Sequence, residues 1–191
     1  MIAVDGPGGT GKGTLCVALA VQFGWHFLDS GALYRAVALL ASEGGIALDD
    51  RAALSRVASG VEIRFQPDPH TGESRTFLGE RDVSEGIRTE DCGNAASRIA
   101  AWPEVREALL ARQRAFRQLP GLVADGRDMG TVVFPDARLK LFLTASPSAR
   151  AERRYKQLIG KGISVSLPRL SADIAERDKR DQERAVSPLK P

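Results

Sequence analysis

Apolar residues at positions 2–4 form a short run that stops at Asp5, and residues 6–11 are then too rich in glycine to continue as a regular element. Residues 14–23 carry apolar side chains at helical spacing. Residues 25–28 form a second apolar run, and residues 32–42 an Ala- and Leu-rich helix that ends near Gly44-Gly45. Strand, helix, strand, helix predicts a parallel sheet joined by right-handed crossovers. The pattern then changes: residues 61–65 alternate with period two, residues 67–74 are a polar turn, and residues 76–78 with 81–83 complete a strand-rich patch that looks inserted. From 87 to about 119 the helical pattern returns, broken at Trp102-Pro103 because proline disfavours a helical conformation in the residue before it. Two more apolar strands follow, 122–124 ending in Asp125-Gly126 and 139–143 ending in Thr144. Residues 146–185 are helical and densely charged, with a flexible break at Gly160-Lys161-Gly162.

At 191 residues and 20.5 kDa the chain fits one ordinary domain with a small insertion. Hydrophobic residues make up 43%, charged residues 27%, and the net charge is +3, so the composition is that of a folding chain, not a disordered one. No run approaches the roughly 20 apolar residues that cross a bilayer, and the chain opens on a strand, not on a basic segment followed by a long apolar one. Neither membrane insertion nor secretion is expected. Cys16 and Cys92 lie in helix-like stretches without a CxxC, which excludes a disulfide framework or zinc finger and makes a reducing cytoplasm the expected location. The basic set is 21 Arg to 6 Lys, and Arg has the planar fork that matches phosphate oxygens two at a time. That balance points to a phosphorylated ligand only if position agrees.

Position does agree. Gly6-Pro7-Gly8-Gly9-Thr10-Gly11-Lys12-Gly13-Thr14 fits GxxxxGK between a strand and a helix. Its glycines let successive amides point into one concavity, the helix start adds partial positive charge, and Lys12 supplies a point charge for the outer phosphates of a bound ligand. Gly13 stands where most P-loops place the Ser or Thr that binds magnesium, and Thr14 is displaced by one; this GKGT spelling is used by nucleoside monophosphate kinases. Leu28-Asp29-Ser30-Gly31-Ala32-Leu33-Tyr34-Arg35 follows the second strand, so Ser30 and Arg35 face the same crevice as the P-loop, unless Ser30 is only a helix N-cap and Arg35 a surface residue. In 123–131, Asp125 stands at a strand end, where a P-loop protein puts the carboxylate that orders Mg²⁺ and its water. Arg127 and Asp128 follow with a guanidinium for phosphate and an acceptor for an exocyclic amino group, a solvated turn being the plainer alternative. Arg177, Asp181 and Arg184 share one helix face by spacing, which also describes an ordinary self-paired charged face.

Together the GPGGTGKGT, LDSGALYR, IRTEDCGNAAS, DGRDMGTVVFPDA and ERDKRDQERAVSPL segments, with the stretch from Glu104 to Leu110, closely resemble the bacterial cytidylate kinases over nearly the whole chain. The resemblance implies an α/β P-loop three-layer sandwich with a parallel central sheet, a strand-rich monophosphate-binding insert and a short helical lid. It divides the chain into core 1–56, insert 57–90, core 91–149, lid 150–164 and core helix 165–191, with the family's final strand and helix absent after Pro191. It further implies that Arg35, Arg127 and Arg184 grip the acceptor phosphate and that Ser97, Arg106 and Asp128 lie around the cytosine. Arg177, Asp181 and Ser30 meet the sugar, and Arg150, Arg153 and Arg154 lie where the lid begins, Arg153 being taken as catalytic.

The expected reaction moves the γ-phosphoryl group of ATP to CMP or dCMP by in-line attack. The catalytic set is Lys12, Arg35, Asp125, Arg127, Arg153 and Arg184, with Thr14 and Asp125 on Mg²⁺ through water. The acceptor phosphate is already ionised near neutral pH, its second pKa being about 6, so no general base is needed. A kinase for another small acceptor, such as AMP, UMP or shikimate, is the nearest alternative, opposed by the DGRD and ERD segments. A nucleic-acid-dependent ATPase is favoured superficially by the pI near 9.1, but 7 Phe, 2 Trp and 2 Tyr with no basic-aromatic run do not build a stacking groove. A monomer binding only small nucleotides is expected.

Overall fold

A computed structural model describes residues 1–160 and 162–191. Four parallel strands, β1 (Ile2–Asp5), β2 (His26–Asp29), β6 (Leu122–Gly126) and β7 (Leu139–Phe142), form a sheet in the order β2-β6-β1-β7. Between β2 and β6, α2 (Ser30–Glu43), α3 (Arg51–Gly60), α4 (Glu90–Ile99) and α5 (Pro103–Ala115) pack into a helical core around Leu33, Val37, Leu54, Ile99 and Leu109. Alternation along the short strands sorts the sheet's two faces. Ile2, Val4, Phe27 and Val123 bury against α1 (Lys12–Phe23), while Ala3, Leu28, Leu122 and Ala124 face Met129, Val133 and α5's Leu110. Helix, sheet and helix make the three expected layers.

The inserted strands form a second sheet, β3 (Ile63–Asp68), β4 (Glu73–Leu78) and β5 (Arg81–Asp82), all antiparallel. The hairpin is longer than the pattern suggested. Pro67 and Asp68, read as turn, pair with Ser74 and Glu73, because β3 is an edge strand whose outer side needs no N–H from Pro67. Phe65 fastens this sheet to the core, its ring 6.0 Å from Phe27 and 5.5 Å from Phe116.

Two other features depart from the pattern. α3 was not anticipated; Asp50 caps it by accepting from the Ala53 amide at 2.9 Å, and the helix runs across the 56/57 boundary. A π-helical turn over Met129–Val133 follows β6 where only a strand end was expected. The charged C-terminal helical stretch is two helices, α6 (Pro147–Gly160) and α7 (Leu167–Glu183); of the expected break, Lys161 lies outside the described residues. Among the described residues no helix is long and apolar enough to cross a membrane.

Candidate functional site

The strand register sets the floor of the site. Asp29 lies opposite Asp125, Val4 opposite Asp125 and Asp5 opposite Gly126, so three aspartates stand within one residue of the same level at the carboxyl edge of the sheet. In an open α/β sheet this edge is where ligands gather. β1 runs straight into the glycine loop, where Gly9 and Gly11 take φ of +76° and +96° and turn their amides inward. Gly6 is required for another reason: a Cβ there would stand 2.1 Å from the Leu143 carbonyl oxygen.

Lys12, the first residue of α1, is 4% exposed. Its Nζ donates to the Pro7 carbonyl at 2.8 Å and stands 3.9 Å from Asp125 Oδ1. Burial, reinforced by the nearby Arg127 charge, pulls the Lys12 ammonium down to about 8. Burial also pushes the Asp125 carboxyl up to about 7, Lys12 opposing and Asp29 adding to the rise. This carboxylate is short of positive charge, the condition that a divalent cation relieves. Asp125 Oδ2 lies 3.7 Å from where a Cβ on Gly13 would stand. Thr14 is exposed, with its Cγ2 3.3 Å from a Cβ placed on Gly72 in the β3–β4 turn. Among the described residues no group of three or more His, Cys, Asp or Glu could hold a metal ion, so a cation here takes most of its ligands from nucleotide phosphates and water.

Next to the glycine loop gathers a set of arginines already matched with acids. Arg106 pairs with Asp128, both buried, and Arg184 Nη2 stands 3.9 Å from the other Asp128 oxygen. Arg127 Nε donates to Asp181 at 2.9 Å. Burial works against the Arg127 charge, yet Asp181 and Asp125 outweigh it and hold the pKa up. Asp181 is in turn held below the usual carboxylate range, its burial being overcome by Arg127 and Arg177. Arg177 is pulled down to about 10 by burial and by Arg127 and Arg35, and its guanidinium carbon lies 3.8 Å from a Cβ placed on Gly8. A phosphate group at this point would meet cations held close together at an electrostatic cost.

Ser30 does not cap α2, as one reading of the sequence allowed. Asp29 does, accepting from the Ala32 amide at 2.8 Å, and Ser30 Oγ donates to the buried Gln113 at 2.9 Å. Arg35 is half-buried, with Nη1 on the Ile87 and Thr89 carbonyls, and lies so close to α4 that a Cβ on Gly93 would stand 2.7 Å from Nη2. Arg184 does not continue the face of α7. It is the residue after the helix, with ψ of 137°, and Nε turns back to the Ser187 carbonyl. Side-chain atoms of Tyr34, Ser97, Arg177, Arg180 and Arg184 are buried without a hydrogen-bond partner. Buried polar atoms are normally satisfied, so each of these atoms is one that a polar ligand could satisfy.

The three arginines at the start of α6 divide by contact. Arg150, 2% exposed, is consumed internally: its guanidinium pairs with Asp178 through both ends, and Nη1 also donates to the Gly8 carbonyl at 3.1 Å. Exposed Arg153 donates to the Gly9 carbonyl at 3.2 Å and stands beside Gly11. Arg154 reaches the other way, donating to Glu90 on α4 at 2.7 Å and to the Arg88 carbonyl at 3.1 Å.

Several site residues lay outside the sequence reading. Gln113 follows Arg106 at i+7 on α5, a spacing that puts both on one face. Tyr34 is buried under Arg106, whose guanidinium carbon is 5.8 Å from its ring, and burial pushes its hydroxyl up to about 12. Asp5 accepts from the Met129 and Gly130 amides, each at 2.8 Å. An aspartate closing the strand before a P-loop was its only visible signal.

A glycine cradle and its lysine at the carboxyl edge of a parallel sheet, facing a basket of arginines, define a P-loop nucleotide-binding protein of α/β class. Comparison with known proteins narrows the class. A family model described as cytidylate kinase matches residues 2–191. The chain is 58% identical over 190 residues to the cytidylate kinase of Aeromonas salmonicida (strain A449), spanning 100% of this chain and 82% of that protein. It is 58% identical over 190 residues to that of Nitrosococcus oceani and 53% identical over 190 residues to that of Methylococcus capsulatus, spanning 84% of each. The chain belongs to the cytidylate kinase family.

Proposed function

We propose that this chain transfers the γ-phosphoryl group of ATP to CMP or dCMP by direct in-line attack, giving ADP with CDP or dCDP. Phosphorylation of CMP by ATP, a step of pyrimidine nucleotide metabolism, follows from membership of the family. The observation that carries the finer reading is the acceptor basket. Arg106, Asp128 and Arg184 sit buried together beside Tyr34, and unpartnered polar atoms remain for a ligand to satisfy.

In this reading Lys12 leaves the Pro7 carbonyl for the outer phosphates, and the amides of Gly8, Gly9, Thr10, Gly11 and Gly13 cradle the rest. Arg153 reaches the transferring group from the α6 side. Arg35, Arg127 and Arg184 hold the acceptor phosphate, which attacks as the dianion without a base, so catalysis is positioning and charge neutralisation. Thr14 and Asp125 hold Mg²⁺ through water, and the ion when bound neutralises phosphate charge. Arg177, Asp181 and Ser30, the last steadied by Gln113, address the sugar. Ser97, Arg106 and Asp128 address the base: Asp128 can accept from the amino group of cytosine but not from the carbonyl that uracil presents there. Leaving a buried polar group unpaired can cost about 10⁴-fold in discrimination, so CMP stands far above UMP.

The three-stranded insert within 57–90 acts as the monophosphate-binding domain and 150–164 as the lid that excludes water. The enzyme works as a cytoplasmic monomer on small nucleotides. ADP formation from ATP and Mg²⁺ with CMP, dCMP, UMP, AMP or no acceptor tests the reading. Strong CMP dependence is expected, and turnover with AMP or UMP in its place overturns the roles of Ser97, Arg106 and Asp128. Capture of a covalently phosphorylated residue during turnover sinks direct transfer.

A further inference from the structure

Asp5 has an unusual pair of partners. It is the last residue of β1, immediately before Gly6, and is 6% exposed. Its two carboxylate oxygens reach the turn that follows β6, where Oδ1 accepts from the Met129 amide and Oδ2 from the Gly130 amide, each at 2.8 Å. Those are the two amides directly after Asp128. On its other side Asp128 is tied by its own carbonyl, which accepts from Val132 at 2.9 Å and Val133 at 3.1 Å, while Phe134 donates to the Met129 carbonyl at 2.8 Å. The π-helical turn over Met129–Val133 is thus anchored at its start by a side chain more than 120 residues away in sequence. Such π turns recur at functional sites.

We propose that Asp5 is a positioning residue for base recognition: by holding the two amides that follow Asp128, it fixes where the Asp128 carboxylate faces the acceptor base. The inference rests on the assignment of Asp128 to the base made above. A second buried carboxylate near Asp128 is electrostatically unfavourable, and burial together with Asp128 does raise the Asp5 pKa against the two amide bonds that lower it. A turn needing only stability is served as well by a neutral side chain. Two acceptor oxygens aimed at two successive amides are what a carboxylate alone supplies. Each oxygen already accepts from a backbone N–H, which ties the carboxylate to the turn.

The test compares wild type, Asp5→Asn, Asp128→Asn and the double variant, measuring kcat/KM for CMP and UMP and KM for ATP in each. Asp5→Asn keeps one acceptor and loses the other. It is expected to lower the CMP-over-UMP ratio by about tenfold or more, since misplacement of about 1 Å at a recognition group is costly, with KM for ATP within about twofold of wild type. Because the two residues act on one group, the double variant is expected to discriminate no worse than Asp128→Asn alone. An unchanged ratio in Asp5→Asn overturns the proposal, as do multiplied losses in the double variant or a loss confined to KM for ATP. If Asp128→Asn itself keeps the ratio, the base assignment fails, and that result is separate from any shown by Asp5→Asn alone. Should Asp5→Asn not fold, amide exchange in the wild type decides. Protection of the Met129 and Gly130 amides that rises with CMP and not with ATP supports the role, and an equal or absent response overturns it.

Discussion

Replacing Gly93 by alanine separates stability from function with one methyl group. Gly93 lies in α4, its amide bonded to the Thr89 carbonyl at 3.1 Å. A Cβ there would stand 2.7 Å from Arg35 Nη2 and 3.0 Å from its guanidinium carbon. Ordinary carbon contacts lie near 3.5–4 Å, so the guanidinium must retreat by about 1 Å. The clash is with the end of a flexible side chain, not with backbone, and the fold can absorb it. Within a helix the change from Gly to Ala gains about 0.8–1 kcal/mol. Against this stands weakening of the Arg35 bonds to Ile87 and Thr89, each contributing about 1 kcal/mol. The terms nearly cancel, and the expected Tm lies within about 3 °C of wild type, as 1 kcal/mol corresponds to about 2–4 °C at this size. Activity does not cancel. If Arg35 grips the acceptor phosphate, a displacement of about 1 Å lowers kcat/KM for CMP about 10²-fold, or about 2.7 kcal/mol of transition-state stabilisation, while KM for ATP stays unchanged. A coupled assay of ADP formation beside calorimetry reads both quantities. A variant with kcat/KM for CMP within threefold of wild type would refute the role given to Arg35.

Lys12→Ala is expected to lower kcat/KM by about 10³-fold or more with an unchanged far-UV dichroism spectrum, because its buried ammonium is the point charge of the cradle; substantial residual turnover contradicts that assignment. For Asp125, the folded-state pKa of about 7 exceeds the ordinary 3.8, so its contribution to stability is fully present below about pH 3.8 and is lost as pH rises through 7. Asp125→Asn is therefore expected to be less active yet more stable than wild type at pH 8, the Tm gap closing towards pH 5; a gap that widens on acidification is the contrary result. Phe65→Ala removes the ring lodged between Phe27 and Phe116 and should cost about 3 kcal/mol, near 6–12 °C in Tm. A loss below about 2 °C in a thermal melt shows that the insert is held elsewhere.

The elements that show in the sequence are those whose signal is local. The glycine loop, β1, α1 and the alternation of β3 each follow from residues within a few positions of one another, and the strand-end aspartates follow from topology once the sheet is parallel. What escaped depends on distant partners. α3 is the exception, since its Asp50 cap and the apolar face it packs on α2 and α5 are both local features of residues 50–60. The π-helical turn is held by Asp5 from the far end of the chain, and no pattern in residues 123–134 announces it. Arg150 and Arg153 are three apart and chemically alike, yet one is a buried strut on Asp178 and the other is exposed beside the cradle. Only the placement of α7 against α6 distinguishes them. The motif likewise indicates which arginines and acids gather, but not that Arg106 with Asp128 and Arg127 with Asp181 are paired to each other.

Helix α6 carries one further consequence. Arg150 and Arg153 tie its start to the glycine loop, and Arg154, one residue on, ties it to Glu90 and the Arg88 carbonyl at the acceptor side. If these are the two nucleotide sites proposed above, one helix is bonded to both, so a shift of α6 that improves one set of bonds is felt by the other. Coupling between the two occupancies would then be reciprocal: the factor by which ATP changes the affinity for CMP would equal the factor by which CMP changes that for ATP. The order of arrival leaves the affinity of the ternary complex unchanged, and removing Glu90 should weaken the mutual reinforcement more than it weakens either nucleotide bound alone.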